Sequence, residues 1–203
     1  GKFTAADYRV RLRTNMQIYW DRIFFTTNAP SAPIRETTLN PLGADIHYRG
    51  FSQMYRKGPD SPHWFDYCDV STEPLWRDLV GDYTRYGDVT PLLMDADNRY
   101  VIINAGDEVS LKFDASQVPP LPAGWTRDFL FYSDGWLKDG DLSTAHGQTV
   151  GPLPFHGMTS YPYGPDESYP GDEKHVTYLR EYNTRAVTAE AFKRFLFNFH
   201  DDE

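Results

Sequence analysis

Apolar residues in this chain alternate along short runs that are cut by proline- and glycine-rich turns, and helical spacing appears only in the tail. Such a pattern restricts the chain to small strands with a late helical addition. Val10, Leu12, Met16, Ile18 and Trp20 alternate in part and lead into Ile23-Phe24-Phe25, so a half-buried strand is predicted from Val10 to Phe25. A second covers Ala44 to Phe51, where Ala44, Ile46 and Tyr48 alternate with Asp45, His47 and Arg49. Val89 to Leu93, Arg99 to Asn104 and Glu108 to Phe113 read as a meander, with hairpin turns at Asp95-Ala96-Asp97-Asn98 and Ala105-Gly106-Asp107. Trp125 to Tyr132 alternates again and is closed by a predicted turn at Ser133-Asp134-Gly135.

Two stretches lack regular periodicity. Lys57 to Pro74 holds three prolines among many rings, which predicts an ordered loop packed by its own aromatics. Pro152 to Pro170 is irregular for the same reason. In the tail, Val176, Leu179 and Tyr182 fall at helical spacing within Asp172 to Tyr182, and Thr188 can cap a second helix running through His200. Phe192, Phe195, Leu196 and Phe199 form the apolar stripe of that second helix. The expected fold is mainly β: an antiparallel sandwich, jelly-roll-like, with long ordered loops and one or two C-terminal helices. It is read as a single domain over residues 1–203, with the sandwich core at 10–150 and the helical appendage at 172–203.

Charge and cysteine content narrow the chemistry. A net charge of −9 argues against nucleic acid as a partner, and no segment is long or apolar enough to span a membrane. The single cysteine, Cys68, excludes a disulfide framework and every multi-cysteine metal or iron–sulfur pattern, and it is expected as a half-buried free thiol. The glycine-rich loops that cradle nucleotides are absent, as is a nucleophile elbow.

Asp139, Asp141 and Thr144 sit on a glycine-bent stretch and offer the hard oxygens that calcium takes, although the spacing is not that of an EF-hand and Asx turns explain Asp-Gly pairs without an ion. His146 and His156 flank a turn-rich segment and offer, with Asp139 and Asp141, the groups of a hydrolase or metal-dependent pocket. With 13 Phe, 14 Tyr and 5 Trp, much of the core must be rings. Rings beside carboxylates and prolines in loops, namely Trp64, Tyr67, Trp136, Tyr161 and Tyr163, also suit a recognition surface for a glycan or a protein. A structural role in an assembly, through the stripe of Phe192, Phe195, Leu196 and Phe199, is the third reading.

Tyr19-Trp20-Asp21-Arg22-Ile23, Tyr48-Arg49-Gly50-Phe51-Ser52, Tyr83-Thr84-Arg85-Tyr86-Gly87-Asp88-Val89, Arg99 to Glu108, Gly124-Trp125-Thr126-Arg127-Asp128-Phe129-Leu130, Gly135 to Asp141 and Tyr182-Asn183-Thr184-Arg185 carry a resemblance. From about Val10 to Arg185 the chain resembles a C-terminal region of bacterial secreted proteins. Those proteins carry FG-GAP propeller repeats with an ASPIC/UnbV segment, of the cartilage-acidic-protein type, or tetratricopeptide repeats. The resemblance implies a periplasmic or extracellular accessory domain, part of a larger modular protein or complex, and supplies no catalytic residues. The propeller's calcium loops and the ASPIC/UnbV segment itself are absent from these residues.

Overall fold

The computed structural model describes residues 23, 33–74, 78–138 and 145–188. The chain divides into two units, Gly1–Thr38 and Leu39–Glu203. The described residues of the first are exposed and without regular structure. The predicted strand from Val10 to Phe25 and the predicted helix after Thr188 lie outside the described residues, apart from Ile23.

In the second unit, β1 (Gly43–Tyr48) is the central strand of a three-stranded antiparallel sheet. It follows the predicted alternation, with Ala44 and Ile46 buried and Asp45 exposed. β6 (Asp107–Lys112) pairs along its whole length, setting Ile46 opposite Val109 and Ala44 opposite Leu111. On the other side β1 meets β5 (Gly87–Asp88), which is cut short because Val89 to Leu93 is not a strand. Pro91 has no amide to give to a ladder, and Thr90–Leu92 forms a 3-10 turn that drives Leu92 into the core. The core joins Ala44, Ile46, Val89, Leu92 and Tyr178, each side chain of Val or Leu type contributing roughly 1.5–3 kcal/mol by burial.

β4 (Gly81–Thr84) and β7 (Asn183–Val187) form a second antiparallel pair. Arg99 to Asn104, expected as a strand, instead runs beside β4 and bonds it only at Thr84, whose amide donates to Ile102 O at 3.1 Å and whose Oγ1 accepts from Ile102 N at 2.8 Å. α1 (Glu173–Tyr182) begins where the sequence places it. Asp172 caps it, accepting from the amides of Lys174 and His175. Of the expected stripe, Leu179 and Tyr182 pack against the core while Val176 is exposed, and the deepest burial on the helix falls to His175 and Tyr178. Tyr178 donates to Tyr100 O at 2.7 Å and so ties the helix to the segment beside β4. His175 reaches Asp172 Oδ2 at 2.6 Å and Asp97 O at 3.1 Å, which leaves neither ring nitrogen without a partner.

The third sheet is the pair β2 (Phe51–Tyr55) and β3 (Trp64–Ser71). β3 falls inside the stretch expected to be a loop. Its prolines flank the strand and do not interrupt it, and its exposure on both faces removes the alternation by which a strand is read. Gly50, at φ 105°, turns the chain from β1 into β2, and a side-chain carbon there would sit 2.5 Å from Ser71 O. The described residues are thus mainly strands in small antiparallel sheets with one α-helix, and no helix among them is long and apolar enough to cross a membrane.

Candidate functional site

The β2–β3 hairpin carries rings outward on both faces. Tyr55 pairs with Trp64 and Met54 with Phe65 across the ladder. Between Ser52 and Gln53 the register jumps from Val70 to Asp66, which leaves Tyr67, Cys68 and Asp69 in a bulge. The exposed side chains are Tyr55 (51%), Trp64 (49%), Phe65 (55%) and Tyr67 (65%), and no layer of the described residues covers them. Cys68 is exposed as well, rather than half-buried, because the bulge lifts it out of the ladder.

The bulge re-aims Tyr67 toward β6. Its hydroxyl donates to Glu108 Oε2, its carbonyl accepts from the Arg49 guanidinium, and that guanidinium lies 3.8 Å from the Tyr67 ring centroid. Arg49 Nε is also 3.1 Å from Glu108 Oε2. The Tyr67 hydroxyl, with Arg49 and His47 beside it, holds the Glu108 carboxyl below the usual range. The Trp64 ring has the Lys57 ammonium 4.6 Å from its centroid. Each of these two rings therefore has a cation on one face.

Trp136 belongs to a different cluster. Its indole Nε1 donates to Tyr100 Oη at 3.2 Å, and Tyr100 donates to Asn98 Oδ1 at 3.1 Å. Asn98 Oδ1 also accepts from His156 N at 2.8 Å. His156 Nδ1 lies 2.5 Å from the same oxygen, and Nε2 lies 3.1 Å from Asp134 Oδ1. Both imidazole nitrogens are spent on intramolecular partners, so the pair braces the loop and offers no free base. His146, expected beside His156 in an enzymatic pocket, packs edge-on against Tyr161 at 6.4 Å.

Tyr161 and Tyr163 face inward. Their hydroxyls donate to Pro152 O at 2.8 Å and Leu153 O at 3.3 Å; the two rings pack edge-to-face with each other, and Tyr163 also packs edge-to-face with Phe155. Lys138 closes this cluster, its ammonium donating to the carbonyls of Thr149 (2.8 Å), Val150 (2.9 Å) and Gly151 (3.2 Å) and lying 5.1 Å from the Tyr161 ring centroid. Burial pushes Lys138 down to about 8 and Tyr161 up to about 12, while the carbonyl dipoles favour the ammonium. The five aromatic candidates thus separate into an outward pair (Trp64, Tyr67), one braced ring (Trp136) and two packed ones (Tyr161, Tyr163).

Asp139, Asp141 and Thr144 lie outside the described residues. Among the described residues no group of three or more His, Cys, Asp or Glu is placed to hold a metal ion. An open groove of about 410 Å³ runs along α1, lined by Arg99, Lys174, Tyr178 and Tyr182 among others, and both of its cations already pair with Asp97, at 2.8 Å and 2.6 Å.

Neither Tyr55 nor Phe65 was named from the sequence as a site residue, and Trp125 to Tyr132 was taken as an alternating strand without a recognition role for the arm Phe129-Leu130-Phe131-Tyr132. The signal for the arm was present as four consecutive apolar residues between Asp128 and Ser133-Asp134. No family model, curated protein or solved structure matches the chain.

Proposed function

We propose that this chain is a non-catalytic accessory domain that binds a protein partner outside the cytoplasm, through the aromatic surface of the β2–β3 hairpin. The observation that carries the reading is the set Tyr55, Trp64, Phe65 and Tyr67, each about half exposed or more on a ribbon with no covering layer. Exposed rings on both faces of one uncovered ribbon, with Met54 and Val70 beside them, match the composition of protein interfaces, where aromatic residues, Met and Arg are enriched. The cations over Trp64 and Tyr67 compete with a sugar for one face of each ring, which favours a protein over a glycan.

An enzymatic reading draws less support, because the Asp134–His156 pair and the Glu108–Arg49–Tyr67 group spend their polar atoms on one another. The three small sheets are read as pieces of an open jelly-roll-like sandwich, and the resemblance to C-terminal regions of secreted modular proteins supplies the compartment.

A photo-crosslinking amino acid at position 65, with position 176 on α1 as the control, tests this in cells that make the protein. The expected result is one discrete protein adduct from position 65 and none from position 176. Glycan-array binding that survives loss of Phe65, or equal adduct patterns from both positions, overturns the reading.

A further inference from the structure

From Trp125 to Lys138 the chain runs without turn or bend and without a sheet partner, so the expected turn at Ser133-Asp134-Gly135 is absent. Within this arm Phe129, Leu130, Phe131 and Tyr132 are 83%, 99%, 71% and 85% exposed. None of the residues 128–133 makes a hydrogen bond among the described residues. The segment is unbent and unpaired, with four apolar side chains in water, and an open backbone of this kind can pair with another chain.

We propose that residues 126–134 pair antiparallel with the same residues of a second copy, centred on Leu130. A two-fold axis normal to an antiparallel ribbon sets one residue opposite its own copy, so only registers centred on a residue close into a dimer. Centring on Leu130 sets Leu130 against itself and Phe129 against Phe131. It also sets Asp128 against the Tyr132 hydroxyl and Thr126 against Asp134. Every charge then faces a hydroxyl and no charge faces its like. Centring on Phe131 instead sets Asp128 against Asp134 at both ends, which like-charge repulsion disfavours.

The exposed rings and Leu130 offer roughly 500 Å² per copy, so about 1,000 Å² in total, which is the lower bound for a specific interface. The dimer is therefore weak and reversible. The arm is distinct from the β2–β3 surface, so this inference stands or falls independently of the partner-binding reading.

Sedimentation velocity of the 203-residue chain over a wide concentration range reads the dimer directly. Leu130→Lys and Phe131→Lys, both at exposed positions, are expected to raise the dissociation constant at least tenfold with the unfolding midpoint unchanged. In a Cys68→Ser background, Leu130→Cys is expected to form a disulfide-linked dimer in a glutathione buffer. Tyr132→Cys alone is expected not to, whereas Asp128→Cys mixed with Tyr132→Cys does. A wild-type chain that stays monomeric throughout overturns the proposal. So does a dimer indifferent to both lysine variants, or crosslinking of Tyr132→Cys as fast as Leu130→Cys. Flotation of a monomeric chain with phosphatidylcholine vesicles, lost in Leu130→Lys, overturns it in favour of a membrane contact.

Discussion

Arg185 on β7 places Nη2 2.5 Å from Asp107 Oδ2 on β6, and so joins the β4–β7 pair to the central sheet through a carboxylate that is 1% exposed. The same guanidinium donates through Nε to Thr84 O at 2.5 Å and lies 4.1 Å from the Tyr86 ring centroid. Tyr86 donates to Asp107 Oδ1 at 2.9 Å, and Asn104 N donates to Oδ2 at 2.7 Å. Burial and that hydrogen bond push Tyr86 up to about 12. The network is satisfied on all sides, which is the condition under which a buried ion pair is tolerated.

Removing the cation alone leaves Asp107 buried and uncompensated. Arg185→Met is expected to cost about 3–5 kcal/mol in urea unfolding, and the double change Arg185→Met with Asp107→Asn is expected to recover a large part of it.

Asp78 lies near the same network. Burial raises its pKa above the ordinary value of 3.8, and the charge of Asp107 adds to the rise against a hydrogen bond from the Asn104 side chain. A raised carboxyl pKa makes the ionised form costly in the fold, so the cost is full at neutral pH, shrinks once the pH falls below the folded pKa, and is gone below the ordinary value of 3.8. Asp78→Asn keeps an oxygen for Asn104 and is expected to raise the unfolding midpoint at pH 7. The gain over wild type is expected to shrink as the pH is lowered toward 3.8. A gain that is constant across the titration contradicts this account.

The packing role of Lys138 is testable in the same way. Lys138→Met removes the donor shared by the Thr149, Val150 and Gly151 carbonyls, and is expected to cost about 2 kcal/mol in thermal unfolding.

Gly50 is required by geometry. With φ at 105° and Ser71 O 2.5 Å from the position of a side-chain carbon, Gly50→Ala is expected to cost about 1–3 kcal/mol and to disturb β2–β3 pairing, seen as faster amide exchange in both strands.

What was legible in the sequence follows from where burial is one-sided. β1 and β6 each put one face on the core, so period-two patterning showed them, and the helical spacing of Val176, Leu179 and Tyr182 showed α1. β3 was invisible because both of its faces are exposed and carry rings, carboxylates and a thiol alike. β7 starts at the residue after α1 ends, and Asn183 serves both as the C-cap of the helix and as the first residue of the strand, so no loop separates the two. At the candidate site, Trp64 and Tyr67 were found by the crowding of rings. Tyr161 and Tyr163 look the same in sequence, yet the carbonyls of Pro152 and Leu153 hold them inward. Whether a ring faces water or a carbonyl is decided by tertiary placement.

The most direct test of partner binding pairs affinity with stability in one double variant, Trp64→Ser with Phe65→Ser, measured against the protein captured by crosslinking. Both side chains are exposed, so the unfolding midpoint is expected to stay within about 0.5 kcal/mol of wild type. Loss of two central rings is expected to weaken binding on the order of thirtyfold or more, the equivalent of about 2 kcal/mol. Unchanged affinity with an intact fold contradicts the proposal that this hairpin is the binding surface, and a collapsed midpoint shows that the rings serve the fold instead.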